Sequence, residues 1–410
     1  MKSSWKSHFL PELLFFQEGP GVRKWQFRDS GVKLLNVGNI NKQKLDLSTT
    51  SLFLSNEEAY GKYAHFLVDD GDLLIACSGI VVDNFHNKIA FAKSKDLPLC
   101  MNTSTMRFKA LDKNRLNINF FKYFLQTNNF TGQLRKLITG SAQLNFGSSH
   151  IKKISIPLPP LPVQERIAAI LDAADALRQK DQALLKKYDD LTQSLFLDMF
   201  GDPVTNPKGW KKSTLGECVN LITYGLTVRP EYIQSGYSVI SAKEIKTGTI
   251  DFSEAKKISS HDFLKVSEKG KPKKGEILYT KTGAGIGQCA LIEEDIEFAI
   301  TQNIARIDFK KSINLIYILN YLRTPFIQNL SHRVSKGNAI KDLQLGDMKK
   351  FDLILPPTNL QEKFSNRIQA IEKQKEQVQA NIKKSEDLFQ SLLQKAFKGE
   401  LVSEENLITN

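Results

Sequence analysis

A chain written twice has little freedom in its fold, because both copies must suit the same framework. Residues 140–200 align with 337–397 without a gap at an offset of 197, with 20 identities in 61 positions. The matches include Lys152-Lys153 with Lys349-Lys350, Pro159-Pro160 with Pro356-Pro357, and Gln164-Glu165 with Gln361-Glu362. Gln193-Ser194-Leu195 likewise returns as Gln390-Ser391-Leu392. Upstream the correspondence loosens: Gly31–Ile40 resembles Gly236–Ile245, and Gly71–Gly79 resembles Gly275–Gly283, with small insertions between. Each copy is therefore a diverged globular part followed by a better-matched part. Such a duplication implies two similar tasks on two different targets.

The better-matched parts read as helices. Pro159-Pro160 and Pro356-Pro357 stop any helix from running through them, Pro162 suits a first helical turn, and Asn359 with Glu362 has capping-box spacing. Apolar residues then step by threes and fours, as in Ile167, Leu171, Ala174, Leu185 and Leu195, and again in Phe364, Ile368, Ile371, Val378 and Leu392. That is the spacing of a heptad seam, on helices of about 38 residues and roughly 57 Å each. The alternative is two helices packed inside one ordinary domain. The run Gly201–Trp210 (GDPVTNPKGW) reads as a linker. Short β-rich runs mark the globular parts, at Lys33–Val37, Leu73–Cys77, Val239–Ala242 and Ile277–Thr280. Amphipathic helices are expected near Phe120–Gln126 and Leu315–Leu322, so each head reads as α/β.

Charge separates the same regions. The whole chain carries +13, with +9 over residues 1–161 and +6 over 201–358, against −2 over 162–200 and +2 over 359–400. The excess sits on the heads, which points to a polyanionic partner. Four scattered cysteines without paired spacing, and six histidines without ligand spacing, argue against a disulfide framework or a zinc site and fit a reducing cytoplasm. The apolar run Phe9–Phe16 is broken by Pro11 and Glu12 and lacks a cleavage site, and no stretch has membrane-spanning length.

Catalytic motifs are missing. Gly283-Ala284-Gly285-Ile286-Gly287 lacks the next glycine of a dinucleotide fingerprint and is followed by a strand-like run, so it reads as a tight turn. Asn206-Pro207-Lys208-Gly209 is the nearest approach to the polar-Pro-Pro-aromatic tetrapeptide of a DNA methyltransferase, and it fails. The chain contains no P-loop and no metal-ligand cluster in sequence. No chemistry by the chain itself, and no cofactor in it, is expected.

Gly140–Phe146 (GSAQLNF) leading into Ile154–Ile167, Asp198–Trp210, and Gly275–Gly287 resemble the signature of type I restriction–modification specificity subunits over nearly the whole chain. The resemblance implies a fold of two α/β target recognition domains joined by a long two-helix antiparallel coiled coil, with an internal pseudo-twofold duplication. The expected segments are an N-terminal stretch 1–20, a first recognition domain 21–158, a first long helix 159–200, linker and second domain 201–355, a second long helix 356–400 and a tail 401–410. It also implies double-stranded DNA as partner, one half-site per domain, and two modification subunits gripped by the helices. S-adenosylmethionine would sit on those, and restriction subunits with ATP and magnesium would join through them. The other readings are the specificity arm of a related modification enzyme outside type I, and a coiled-coil scaffold with no nucleic-acid role.

Residue type and loop position then select candidates for phosphate and base contacts. In the first head they are Asn39, Asn41, Lys42, Ser78, Arg135, Lys136, Gln143 and Asn145. In the second they are Tyr224, Arg229, Lys243, Lys281, Gln302, Arg333, Lys336, Asn338 and Lys341. Seam positions are Leu171, Asp181, Leu185, Leu195, Ile371, Lys375, Val378 and Leu392. A pseudo-twofold pairing of the seams predicts Asp181 against Lys375, with Arg178 lying along Val378 and reaching for water.

Overall fold

The computed structural model describes residues 5–48, 50–138, 143–337 and 340–402. The chain divides into two units. Unit one joins Met1–Gln182 to Asn381–Asn410, and unit two is the continuous stretch Ala183–Ala380. Each unit thus holds one head and a part of each long helix.

The head of unit one has a four-stranded sheet in the order Leu14–Glu18, Thr105–Ala110, Leu73–Ala76, Ile89–Phe91, all antiparallel. Beside it a three-stranded sheet pairs Val32–Leu35 parallel with Leu99–Met101 and antiparallel with Phe53–Leu54. The N-terminal stretch belongs to this head, for Leu14–Glu18 is a sheet strand and Ser7–Phe9 pairs with Ser155–Pro157. The head of unit two repeats the plan with Val219–Tyr224, Ile304–Phe309, Ile277–Thr280 and Cys289–Leu291. Its smaller sheet sets Tyr237–Ile240 parallel with Phe298–Ile300 and antiparallel with Lys256–Ile258. The strands expected from sequence are found within a few residues.

The repeat extends further than the sequence comparison. Helices Ile118–Phe124, Asn128–Leu137, Ser148–Ile151 and Leu161–Phe200 start 197 residues before Leu315–Leu322, Pro325–Val334, Leu345–Met348 and Thr358–Phe397. Asn117 and Asn314 cap the first pair, each accepting two backbone N–H groups. Their own N–H groups donate to Gln164 at 2.9 Å and Gln361 at 3.0 Å. Both glutamines also hold a proline carbonyl, Pro159 and Pro356, at 2.8 Å. This double clamp ties head to helix, and it accounts for the repeated Pro-Pro…Gln spacing. The second long helix begins at Thr358, so Asn359 lies in its first turn and does not cap it.

On the first long helix the less exposed face runs 171, 174, 178, 181, 185, 188, 192, 195, 199, and on the second 364, 368, 371, 375, 378, 382, 385, 389, 392, 396. Both step by threes and fours, as the sequence reading expects. In unit one Leu171 and Ala174 share a core with Phe389, Leu393 and Ala396. In unit two Phe196 stacks on Tyr317 and meets Phe364 edge to face, Phe200 meets both of those rings edge to face, and Asp189 meets Lys375. There the two helical segments run antiparallel. Gly201 ends the first helix with φ +79, a conformation costly for other residues, and the Trp210 indole donates to the Phe200 carbonyl at 2.8 Å.

The expected central pairing is corrected. Lys375 is 2.9 Å from Asp189 and 3.1 Å from Glu372, eight residues away from the expected partner Asp181. Arg178 is buried, not water-seeking; it bonds Glu386 at 3.0 Å and Asp175 at 2.6 Å and lies 4.2 Å over the Phe389 ring. Glu386 is likewise eight residues from Val378, which is itself buried. The offset of 197 turns Arg178 into Lys375, Asp175 into Glu372 and Asp189 into Glu386, so the two ion triads are copies of one arrangement. Ring packing at the helix ends sets this register, because it buries far more surface than one surface-accessible charge pair can offset.

Candidate nucleic-acid interface

In each head the central strand runs out into a turn that a distant segment clips shut. In unit one Ile80–Val81 pairs with Gln143–Leu144. The Ser78 hydroxyl donates to Asn145 Oδ1 at 2.9 Å, the Gly79 N–H donates to the same oxygen at 2.8 Å, and the Phe146 N–H donates to the Cys77 carbonyl at 3.0 Å. Phe146 anchors the clip by packing on Phe85 in the core. Ser78, Gln143 and Asn145, chosen from two separate stretches of sequence, are thus brought together.

Unit two repeats the clip with different side chains. The Leu343 N–H donates to the Lys281 carbonyl at 2.8 Å, and the Gly283 N–H to that of Lys341 at 2.9 Å. The Lys281 ammonium lies 2.5 Å from Asp342, the Thr282 hydroxyl donates to the same Oδ1, and the Gln344 amide donates to Oδ2. Burial works to raise the Asp342 carboxyl, but the bonds from Lys281 and Thr282 and the Lys281 charge outweigh it and hold it below the ordinary aspartate value. A cleft of about 510 Å³ opens here, with Tyr224, Lys281 and Gln302 on its wall beside Asn303 and Asp342. Lys281 sits 5.9 Å over the Tyr224 ring, so three candidates of the second head converge. Asp342 was missed in the sequence, although the offset of 197 places it opposite Asn145. The turn Gly283–Gly287 is tight, as expected: Gly287 has φ +99, and a Cβ there would meet the Gln328 side chain at 2.0 Å.

The remaining candidates lie on other elements, except Lys336 and Lys341, which flank Asp342. Lys136 and Arg333, equivalent under the offset, are exposed in the last turns of helices Asn128–Leu137 and Pro325–Val334, with Arg135 exposed beside Lys136. Cations there complement the helix dipole as well as any phosphate. Lys336 exchanges backbone hydrogen bonds with Asp342 and is exposed, as is Lys341. Asn41 and Lys42 sit on a two-residue turn in which Lys42 and Gln43 have φ 49 and 57. Arg229 is exposed over the Tyr232 ring, and Lys243 is exposed beside Glu244. Asn338 lies outside the described residues.

Asn39 is removed from the set. It is buried, its amide donates to the Asp46 carbonyl at 3.0 Å and to Thr50 at 2.6 Å, and its oxygen accepts the Asn36 N–H. A group so engaged has nothing to offer a ligand.

Sequence reasoning also missed a buried ion pair in each head. Arg306 meets Glu276 with two bonds of 2.6 Å. Arg107, at the same strand position, meets Asp72 once at 3.3 Å, with Lys109 also 3.3 Å from that carboxylate. Arginine in the third place of a central strand is the signal that could have found both. The four cysteines are buried free thiols, and burial pushes Cys77, Cys100 and Cys289 up to about 12. Among the described residues no helix is long and apolar enough to cross a membrane.

The sequence pattern of the type I restriction modification DNA specificity domain matches residues 3–187 and again 207–385. The type I restriction enzyme EcoBI specificity subunit of Escherichia coli is 25% identical over 418 residues, covering 92% of this chain and 81% of that one. The MjaVIII specificity subunit of Methanocaldococcus jannaschii is 27% identical over 196 residues, 47% of this chain and 45% of that one. Among solved structures, the S subunit of a type I restriction–modification system from M. genitalium superposes with a TM-score of 0.53 at 16% identity, covering 96% of both chains. A chain solved in work on the assembly and conformational transition of a type I system gives 0.55 at 17%, covering 97% of this chain and 99% of that one. At such identities the two structures speak to the fold.

Proposed function

This chain belongs to the specificity subunits of type I restriction–modification systems, and we propose that it reads an asymmetric, bipartite DNA site with one half-site under each head. The observation that carries this reading is the repeated clip. One backbone bond closes both clips, Phe146 N–H to the Cys77 carbonyl and Leu343 N–H to that of Lys281, while the polar groups around it are neutral in one head (Ser78, Asn145) and charged in the other (Lys281, Asp342). A shared frame with different hydrogen-bonding groups is what two different base sequences call for. Exposed Lys136 and Arg333, with Arg135, Lys42, Lys336 and Lys341, would meet phosphates and supply a salt-dependent part of the affinity.

The long helices would form an antiparallel coiled coil about a pseudo-twofold axis and offer two related surfaces to two modification subunits. Methyl transfer from S-adenosylmethionine would belong to those subunits, and ATP-driven work with magnesium to restriction subunits. This chain contributes recognition in the cytoplasm and no catalysis. Exchanging residues 21–147 for the first head of another family member, in the assembled complex, should change one half-site of the methylation pattern and leave the other intact. Change in both half-sites, or in neither, refutes the modular reading. An assembled complex without salt-dependent DNA binding would favour the scaffold reading.

A further inference from the structure

The two clips place one side chain in the same position, and the outward chemistry of that side chain is opposite in the two heads. In unit one the orientation of the Asn145 amide is fixed. Its Oδ1 accepts the Gly79 N–H, and a backbone N–H can only donate, so the oxygen and not the nitrogen faces the turn. The Ser78 hydroxyl takes the second lone pair of that oxygen. The residue is exposed, and Nδ2 has no hydrogen-bond acceptor among the described residues. With the oxygen engaged twice, two-bond reading of adenine by an asparagine is closed, and only donation remains.

In unit two the offset of 197 sets Asp342 in this position. Both its oxygens are engaged from within, Oδ1 by Lys281 and Thr282 and Oδ2 by Gln344, and it has no hydrogen to donate. The turn glycine bonds elsewhere, Gly283 N–H to the Lys341 carbonyl, and where Asn145 keeps a free donor Asp342 has none.

We infer that positions 145 and 342 determine specificity: Asn145 Nδ2 donates to an acceptor atom on a base edge of the first half-site, and Asp342 makes no such contact in the second. This rests on the reading of the heads as DNA-recognition units. The acceptors available are guanine O6 or N7, adenine N7 and thymine O4 in the major groove, or adenine N3 and thymine O2 in the minor.

The test uses the assembled complex with its modification subunits and a pool of randomised duplexes, from which bound sequences are selected at fixed salt. Asn145→Asp keeps an oxygen for Gly79 and Ser78 and replaces the outward donor by an acceptor. It should change or level the preference at one base pair of the half-site that the head exchange assigns to unit one, by at least about five-fold. The other half-site should stay as it is. Asp342→Asn, the reverse change, should alter one base pair of the other half-site. Selection by N145D of the wild-type sequence at every position overturns the inference, and so does a change in the wrong half-site. If N145D fails to fold, judged by its unfolding transition and by complex assembly, D342N decides, and an unchanged selection by D342N overturns the inference. A wild-type complex that selects no sequence refutes the underlying reading instead.

Discussion

The two heads share their strand order, their helix starts and their clip, and they part company in how polar groups are neutralised. In unit one the buried Arg107 touches its carboxylate once and shares it with Lys109, whereas in unit two Arg306 and Glu276 form a closed two-bond pair. Tyr123 and Phe389 pack ring against ring in unit one, 6.0 Å apart, where the offset gives unit two Asn320 and Thr192. A fold can therefore hold its backbone through caps, clamps and spacing while its side-chain chemistry drifts. What drifts is free to serve a different target.

The ion pairs carry the largest expected difference between the heads. Arg306→Ala leaves the buried Glu276 charge unpaired, with only the Lys273 N–H still donating to it, and should destabilise unit two by about 3–5 kcal/mol. Arg107→Ala should cost less, about 1–3 kcal/mol, because Lys109 already reaches Asp72. Denaturant unfolding of the two variants checks the order, and a larger loss from R107A would break the contrast. Next come the helix triads. Arg178→Ala removes bonds to two carboxylates and a ring contact and should cost about 2–3 kcal/mol, against about 1 kcal/mol for Lys375→Ala, whose bonds lie nearer solvent. Equal losses would mean that the ring contact over Phe389 contributes nothing.

Asn39→Ala should destabilise unit one by about 1 kcal/mol through the loss of its internal bonds and leave the selected DNA sequence unchanged. A changed sequence would return Asn39 to the reading surface. The smallest effect is on acidification. The Asp342 carboxyl lies below its usual 3.8, so its contribution is complete above that pH and is lost as the pH falls further, through the lowered folded value. Asn145 has no proton to gain. Amide exchange around Thr282 should quicken below about pH 3.8 while that around Ser78 does not. Equal quickening at both turns would show that the acid effect is general.

The long helices, both α/β heads and the tight turn at Gly283–Gly287 were legible because periodicity, proline pairs and glycine spacing are local signals. The extension of the repeat was not. Between residues 117 and 139 only Asn117, Leu125 and Thr127 keep their identity at 314, 322 and 324. The two polar ones close helix ends, and a few conserved hydrogen bonds leave little trace in an alignment. Lys281, Gln302 and Tyr224 could be chosen by type, but their convergence depends on strand pairing across some eighty residues. Asn39 misled because a loop asparagine serves its own backbone as readily as a ligand. The seam register failed for a similar reason: charges at heptad positions invite pairing, yet the aromatic ends decide the alignment.

Unit two is one uninterrupted stretch, Ala183–Ala380, while unit one waits for residues beyond 380 to finish its core with Phe389, Leu393 and Ala396. On a ribosome this reverses the usual order, in which the N-terminal unit matures first. The first head emerges early, yet it stays open along the face that these residues cover, and the later-made unit is the first to be complete. A premature stop near residue 385 would therefore leave the middle of the chain well folded and strip the cover from its beginning. Protease challenge of nascent chains arrested at successive lengths should show the central stretch resisting first and the N-terminal stretch last.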